Sequence, residues 1–296
     1  MLHLERHRFT LIPTSDLSFP PTDQGFQGSA WHGRLDDALR ASGEQYRLLA
    51  PTVKRYWIDS PLDRDATGSS AFNLSLHRAG EAMGIALYCA GDALVGDSAM
   101  ADYVAKCVRQ AGREPRKGFW GTYTVAAHVR EVFPFARIAA LPVSSVGALS
   151  DLRVDFLSML RIDDGQCIEY ARRGLVPLPH FHHLCKLLLV RVRALALSEH
   201  EVFLSWLDSC EAHLRSAKDV LPVSNALAVF DAERLSGKRH ERLPIGGLLG
   251  NVVYRGSTSV LDRFRALLLL GEWVRIGRKT NLGLGRIAVG DVVSAT

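Results

Sequence analysis

The same order of secondary-structure elements is predicted twice along the chain: strand, helix, strand, strand, helix, strand. Apolar and polar residues that alternate predict strands, and apolar residues three and four apart predict helices. In the first half we predict strands over His3–Ile12, Ala71–Arg78, Gly84–Cys89 and Gly121–Val132 and helices over 29–42 and 98–111. In the second half we predict strands over Leu152–Ile162, Ser224–Arg234, Leu248–Tyr254 and Arg286–Val292 and helices over 179–197, 200–216 and 259–270.

Two βαββαβ units in tandem predict an α+β protein with two ferredoxin-like domains, the topology that RNA recognition motifs also use. We place the N-terminal domain at residues 1–135 and the C-terminal domain at 151–296. A linker over 136–150 contains Pro142 and several small residues, which favour an irregular connection. The two halves share no obvious sequence, so the repeat is one of architecture.

Composition narrows the class of protein further. The chain has 296 residues, of which 47% are hydrophobic and 23% charged, and these values exclude a disordered, collagenous or coiled-coil protein. The formal net charge is +5 and the pI is about 9.0. This mild basic excess is compatible with a polyanionic partner without establishing one.

The cysteines and the N-terminus bear on cellular location. The cysteines are odd in number, contain no CxxC pair, and fit neither a zinc ribbon nor a disulfide framework; they are Cys89, Cys107, Cys167, Cys185 and Cys210. We expect reduced, buried thiols in a cytoplasmic protein. Met1–His7 carries charge where a signal peptide would be apolar. The longest aliphatic run, Leu267–Leu270, is far shorter than the ~20 residues that span a bilayer.

The most specific stretch is the glycine-rich segment Gly271–Arg286. Glycine allows backbone conformations closed to other residues and lets a ligand approach the chain closely. Four basic side chains surround the three central glycines, so exposed N–H groups and cations would together bind phosphate; the residues are Gly277, Gly283, Gly285, Arg275, Arg278, Lys279 and Arg286. The spacing fits neither a P-loop nor a dinucleotide fingerprint. A tight turn into an edge strand is the alternative.

Together with three other blocks, this segment resembles the signature of the CRISPR repeat-processing endoribonucleases, which belong to the RAMP superfamily (repeat-associated mysterious proteins). Upstream of it lies Gly250–Gly256. The strand Leu152–Ile162, followed by Pro177–Pro179 and a helix that ends with Val190–Leu195, is similar to a second block of the family. The segment Phe26–Arg34 fits the N-terminal pattern loosely. The resemblance is good from Leu152 onward, about half of the chain.

The resemblance implies an endoribonuclease that needs neither metal nor cofactor. Its substrate would be the repeat of precursor CRISPR RNA, often a hairpin, and its product a guide RNA with a 2′,3′-cyclic phosphate. The protein would stay bound to the mature guide and join other effector-complex subunits, without a membrane partner. Two alternatives remain open: a non-catalytic guide-binding subunit of the same fold, and a nucleotide-handling or metal enzyme unrelated to RNA.

Metal-free RNA cleavage requires proton transfer and charge stabilisation, and a histidine with a pKa near 7 can serve the first need. The resemblance places the catalytic histidine in the first helix of the N-terminal domain, where His32 lies. Asp36 follows one helical turn later, so its carboxylate would orient the imidazole. Tyr46 and Lys54, in the next loop, are further candidates. The alternative is a structural histidine at the rim of an apolar face.

Several other basic residues are candidate RNA contacts, since Lys and Arg supply the phosphate electrostatics of RNA binding. Arg34 and Arg40 share the helix of His32; Arg172 and Arg173 follow the first strand of the second domain; His182, Lys186 and Arg193 form a polar stripe on its long helix; Lys238, Arg239 and Arg242 lie in a basic hairpin loop. Each set could equally be a solvated surface. His180 and His183 are close enough in sequence to share a metal, but no further ligand other than Cys185 is at a suitable spacing to complete that set.

Overall fold

The computed structural model describes residues 4–18, 28–41, 56–59, 63–64, 70–71, 76–90, 98–113, 121–133, 148–162, 178–195, 201–230, 233–235, 242–244 and 246–291. Side chains are described for most of these residues. In the described part of the chain, no helix combines the length and the apolar character needed to cross a bilayer.

The first domain is a four-stranded antiparallel sheet with two helices. Its core elements are β1 (Leu4–Pro13), α1 (Gly28–Arg40), β2 (Tyr56–Asp59), β3 (Met83–Ala90), α2 (Ser98–Arg113) and β4 (Tyr123–Val132). The strands lie in the order β2-β3-β1-β4. The two strands that flank each helix are separated in the sheet by one other strand, which is the ferredoxin-like arrangement that the element order predicts.

The second domain repeats this topology with one additional helix. Its elements are β5 (Leu149–Leu160), α3 (Phe181–Leu195), α4 (Glu201–Ala212), β6 (Leu221–Phe230), β7 (Gly247–Ser257), α5 (Thr258–Val274) and β8 (Ile287–Asp291), with short 3-10 turns at Ser216–Asp219 and Thr280–Leu282. The strand order is β6-β7-β5-β8, again antiparallel. The predicted fold class, two tandem ferredoxin-like domains, is therefore confirmed.

The prediction was wrong for one strand of the first sheet. The strand beside β3 is β2, at Tyr56–Asp59, and not Ala71–Arg78. In that region Ser70–Ala71 pairs with Asp63–Arg64, and Leu76–His77 pairs with Leu17–Ser18, in two small ladders outside the sheet. A strand of four residues is too short for periodicity to reveal, although two aromatic residues followed by a β-branched one favour a strand.

Both faces of the first sheet are buried, by different partners. On β3, Ile85 and Leu87 pack under α1 and α2, whereas Ala86 and Tyr88 belong to the core of the second domain. The end of α5 covers this second face: Trp273 packs edge-on against Tyr88 and Phe133, with ring centroids 6.2 and 5.2 Å apart. The sheet face that an RNA recognition motif offers to bases is thus occupied by protein here.

A buried charge cluster ties β1 to β4 on the helix side of this sheet. Glu5 is 1% exposed, accepts hydrogen bonds from Arg130, and lies 3.2 Å from Nε2 of His7. Nδ1 of His7 lies 3.1 Å from Nε2 of His128. Burial would raise the pKa of Glu5, but the hydrogen bonds from His7 and Arg130 outweigh it and hold that pKa below its ordinary value.

This cluster predicts acid sensitivity of the fold. Because the pKa of Glu5 is lower in the folded than in the unfolded state, its contribution to stability is present above the unfolded pKa and is lost as the pH falls through the folded value. We expect Glu5→Gln to reduce the free energy of unfolding at pH 7 by about 1–3 kcal/mol and to flatten its decline between pH 5 and 3. Urea unfolding at a series of pH values measures both; an unchanged acid slope would contradict the assignment.

Candidate functional site

His32 lies where α1 meets the second domain. The apolar face of α1 is buried in the core of the first domain, as its spacing predicts; it consists of Trp31, Leu35, Ala38 and Leu39. His32, which follows Trp31, therefore lies at the edge of that apolar face. His32 is 7% exposed, and its ring stacks on the ring of Tyr56 in β2 with centroids 5.8 Å apart and planes 15° apart. The packing of α1 and β2 therefore fixes the plane of the imidazole.

Asp36 supports this pair through Tyr56. One carboxylate oxygen accepts a hydrogen bond from the Tyr56 hydroxyl, and the other accepts one from Nε of Arg40 at 2.9 Å. Tyr56 is fully buried, so this hydroxyl is satisfied inside the protein. The predicted role of Asp36 as an orienting group for His32 stays a prediction; the described contact that links the two residues runs through the Tyr56 ring.

The glycine-rich segment of the second domain brings Asn281 to His32. Nδ2 of Asn281 lies 3.5 Å from Nε2 of His32. An amide nitrogen can only donate, so this contact favours an imidazole whose Nε2 carries no proton, the form that accepts a proton from a substrate. Residues 249 positions apart in sequence thus meet at one point between the domains.

The glycines in this segment serve its path through the protein. Gly277 and Gly285 have φ of 85° and 74°, and a Cβ on either would overlap a carbonyl oxygen, of Arg161 or Ile276 respectively. At Gly283, with φ of 92°, a Cβ would lie 2.8 Å from the carbonyl oxygen of Ile58 in β2. Gly283 therefore allows the loop to approach the first domain closely.

Several backbone donors of the loop, including those of two of its three central glycines, are used within the protein, and this corrects the expectation that they are exposed to phosphate. The N–H of Arg278 donates to Arg161, that of Gly283 to Thr280 and that of Gly285 to Met159, at 2.9–3.0 Å. The Ser158 hydroxyl donates to the carbonyl of Gly283 and accepts from the N–H of Arg286, both at 2.8 Å. Ser158, which sequence reasoning missed, thus fixes the loop at its base.

Phosphate binding at this loop would therefore depend on its side chains. Arg278 and Lys279 are exposed beside Asn281, and Arg286 is partly exposed. Lys279 has a left-handed backbone conformation, φ 59°, which is strained for a residue with a Cβ and is a feature often found at functional sites. The strained residue lies at the tip of the loop, two residues before Asn281, which contacts His32.

Two predicted RNA contacts, Arg34 and Arg275, are buried. Arg34 is 2% exposed and donates to the carbonyl oxygens of Ala111 and Gly121, so it stabilises the first domain from inside. Arg275 is fully buried with its guanidinium 5.0 Å from the ring centre of Tyr88; burial, and then the charges of Arg286 and Arg6, lower its pKa. Neither side chain lies at the surface, where RNA could reach it.

Arg193 donates to Asp208 and Glu211 of α4, at 2.6 Å each, so its charge is neutralised within the protein. Its two predicted neighbours on α3 remain at the surface, Lys186 exposed and His182 partly so. Burial, together with the nearby His183, His180, Lys218 and Lys186, lowers the pKa of His182. It is therefore mostly neutral at pH 7 and contributes little charge for phosphate.

The remaining candidates stay predictions. Arg40 is largely exposed, with a side-chain accessibility of 57%. Tyr46, Lys54, Arg172, Arg173, Lys238 and Arg239 lie outside the described residues, and for Arg242 only the backbone, in the short strand Arg242–Pro244, is described.

The described cysteines are all buried: Cys89, Cys107, Cys185 and Cys210. Burial raises the pKa of Cys89 and Cys185, and that of Cys210 to about 11, so none of these three is poised as a nucleophile. Among the residues that the structure describes, no three His, Cys, Asp or Glu side chains are grouped as metal ligands would be.

Comparisons with known proteins agree with this architecture. Residues 154–287 match the family model described as CRISPR-associated endoribonuclease Cas6. A product complex of the Thermus thermophilus Cas6 designated TTHB231 superposes with a TM-score of 0.61 at 16% identity, covering 97% of this chain and all of the other. A product complex of a second Cas6, TTHA0078, gives 0.58 at 17%, covering 98% of this chain and all of the other.

A third similar structure is a partial Cas6-RT-Cas1–Cas2 complex, with a TM-score of 0.63 at 13% identity; the match covers 99% of this chain and 47% of the longer one. No curated protein sequence matches this chain. At these identities the superpositions establish the fold.

The fold is the one that this chain shares with the solved Cas6 structures: two tandem ferredoxin-like domains. The resemblance to the CRISPR repeat-processing endoribonucleases is confirmed by the family model, which matches residues 154–287 of the second domain. His32 lies on the first helix, 3.5 Å from Asn281 of this loop, and its catalytic role stays a prediction.

The glycine loop provides a matched pair of variants. Gly285→Ala introduces a Cβ at positive φ and against a carbonyl oxygen, whereas Gly290→Ala, in β8, meets no atom within 4 Å. We expect the first variant to lose about 2–4 kcal/mol in the free energy of unfolding and the second to stay within about 0.5 kcal/mol. Urea unfolding measures both; equal midpoints would mean that the loop does not hold its described path.

Proposed function

We propose that the chain is a CRISPR-associated endoribonuclease that binds the repeat of precursor CRISPR RNA and cleaves it between its two domains. The observation that carries this proposal is the contact of His32 with Asn281, beside the exposed cations Arg278 and Lys279. A proton acceptor on one domain and phosphate-binding groups on the other converge on one point, which is the arrangement that cleavage of a phosphodiester requires.

The reaction is an attack of the ribose 2′-hydroxyl on the adjacent phosphorus. His32 accepts the hydroxyl proton while the bond from the 2′-oxygen to phosphorus forms. The bond from phosphorus to the 5′-oxygen breaks, and that oxygen takes a proton from solvent. The products are a 2′,3′-cyclic phosphate and a 5′-hydroxyl, and no metal ion takes part in any step.

The protein contributes position and charge to this reaction. Tyr56 and Asp36 hold the imidazole plane, so that a substrate entering beside Asn281 meets a preoriented base. Arg278 and Lys279 neutralise the charge that grows on the phosphorane oxygens, where each preorganised donor contributes several kcal/mol in many enzymes. The guide RNA then stays bound and recruits other effector subunits.

The central residue of this proposal is His32. We expect His32→Ala to slow single-turnover cleavage of repeat RNA in EDTA by about 10²–10⁴-fold, because a general base is lost. The dissociation constant should change less than about twofold, since a neutral imidazole adds little to phosphate electrostatics. Gel analysis of labelled repeat RNA and a filter-binding titration provide the two values.

A substrate with a 2′-deoxy nucleotide 5′ to the cut serves as the chemical control and must remain intact with the wild-type chain. Cleavage of that substrate would contradict the cyclic-phosphate mechanism. Tight binding without cleavage by the wild-type chain would instead identify the alternative, a guide-binding subunit without catalysis.

The loop cations are tested by the salt dependence of binding. The double variant Arg278→Ala/Lys279→Gly removes both charges, and glycine keeps the left-handed backbone at position 279. We expect the slope of log K against log salt to fall by about 2. Lys106→Ala/Arg109→Ala, on the exposed face of α2, removes equal charge and should leave the slope almost unchanged. Equal slopes in the two double variants would exclude the loop as the phosphate site.

A further inference from the structure

The short strand β2 contacts His32, Asp36 and the glycine-rich loop, the three parts of the candidate site. Its first residue, Tyr56, stacks on His32 and donates to Asp36. The carbonyl oxygen of Ile58 faces Gly283 of the loop, where a Cβ would stand only 2.8 Å away. Trp57, between them, points to the opposite face of the sheet, as alternation in a strand requires. Because β2 contacts both His32 and the loop, the position of this strand sets the distance between them.

Trp57 is held by the second domain on several sides. Its indole N–H donates to the carbonyl of Trp273, at the end of α5, at 2.8 Å. The guanidinium of Arg191, on α3, lies 5.2 Å from the centre of the Trp57 ring, and its Nε donates to the carbonyl of Val274 at 2.6 Å. Both accepting carbonyls immediately precede the loop, so Trp57 and Arg191 anchor the point from which the loop departs.

We infer that Trp57 and Arg191 are positioning residues for cleavage, which form a tether between β2 and the start of the loop and so set the distance from His32 to Asn281 and the loop cations. This inference rests on the proposed function. Trp57 is fully buried. Arg191 is partly exposed, but its guanidinium is engaged by the Val274 carbonyl and the Trp57 ring, and burial lowers its pKa to about 10. Their effect acts through the relative placement of the domains.

The expected loss of cleavage rate follows from the sensitivity of catalysis to the position of the catalytic groups. A displacement of about 1 Å in a catalytic group costs up to about 100-fold in rate, whereas phosphate contacts through long, exposed side chains tolerate such a shift. Loosening the tether should therefore lower the single-turnover rate constant of cleavage and leave RNA affinity nearly unchanged.

Two variants and one control test this. Trp57→Phe keeps an aromatic ring for Arg191 but removes the indole donor, and Arg191→Met keeps the volume but removes the charge and the hydrogen bond. Tyr254→Phe is the matched control, because it also removes one buried hydrogen bond to a carbonyl, that of Pro179. Tyr254 pairs with Leu152, seven residues along β5 from Met159 at the loop, or about 23 Å.

We expect the single-turnover rate constant of cleavage to fall about 10-fold in Trp57→Phe and in Arg191→Met, with the dissociation constant of repeat RNA within about twofold, and both values to stay near wild type in Tyr254→Phe. Replacement of a buried charge by an apolar side chain of similar volume is often neutral or stabilising. A slower Arg191→Met enzyme with an unchanged or higher Tm cannot be explained by unfolding. The same single-turnover rate constant in all three variants and the wild type would overturn the inference.

A second measurement is independent of activity. Amide hydrogen exchange over Tyr56–Asp59 and Thr280–Gly283 should become about 10-fold faster in Trp57→Phe and Arg191→Met, but not in Tyr254→Phe. If the wild-type chain binds repeat RNA without cleaving it, the proposed function fails, and the exchange rates alone decide the tether. Unchanged exchange in both variants would then overturn it.

Discussion

The docking of the end of α5 onto the first sheet is the interaction on which the candidate site depends. A ferredoxin-like sheet has one face under its helices and one face open, and the open face of β1 and β3 is apolar enough here to require a cover. Trp273 supplies it, packed against Tyr88 and Phe133 and under the guanidinium of Arg6, 4.8 Å from its ring. Because the loop begins directly after α5, this contact also delivers the loop to α1.

The same junction contains an unfavourable feature. Arg275 follows α5 with φ of 71° and is fully buried, which combines backbone strain with the desolvation of a charge. The ring of Tyr88, whose centre lies 5.0 Å from the Arg275 guanidinium, offsets part of this destabilisation through a cation–π contact. The strained turn does, however, direct the loop out of α5 and back toward β2.

The sequence predicted those features that repeat or alternate. Apolar positions two apart along β5, and three and four apart along α1, located the elements, and the βαββαβ order then determined the topology. His32 was located by family resemblance, and its surroundings could not be: Tyr56 and Asn281 become its neighbours only when two domains meet. A tyrosine near the start of an apolar stretch was the only local signal for Tyr56.

The errors have common physical causes. Arg34 and Arg275 were assigned to RNA because a charged side chain is normally at the surface, but backbone carbonyls and aromatic rings accept them in the interior. The sequence predicts that the N–H groups of the loop glycines bind phosphate, whereas those of Gly283 and Gly285 donate to Thr280 and Met159. The sequence shows that the loop needs glycine at these positions. It does not show whether the glycines allow a ligand or another part of the chain to approach closely.

The central claim is that a single phosphate of the RNA lies between α1 and the loop. Photo-crosslinking tests it directly, with a catalytically blocked repeat RNA that carries a photoreactive nucleotide on either side of the scissile phosphate, followed by mass spectrometry of the attached peptides. The account predicts crosslinks to the peptide around His32 and to the peptide around Arg278–Asn281 from the same pair of nucleotides. Crosslinks confined to one domain would contradict it.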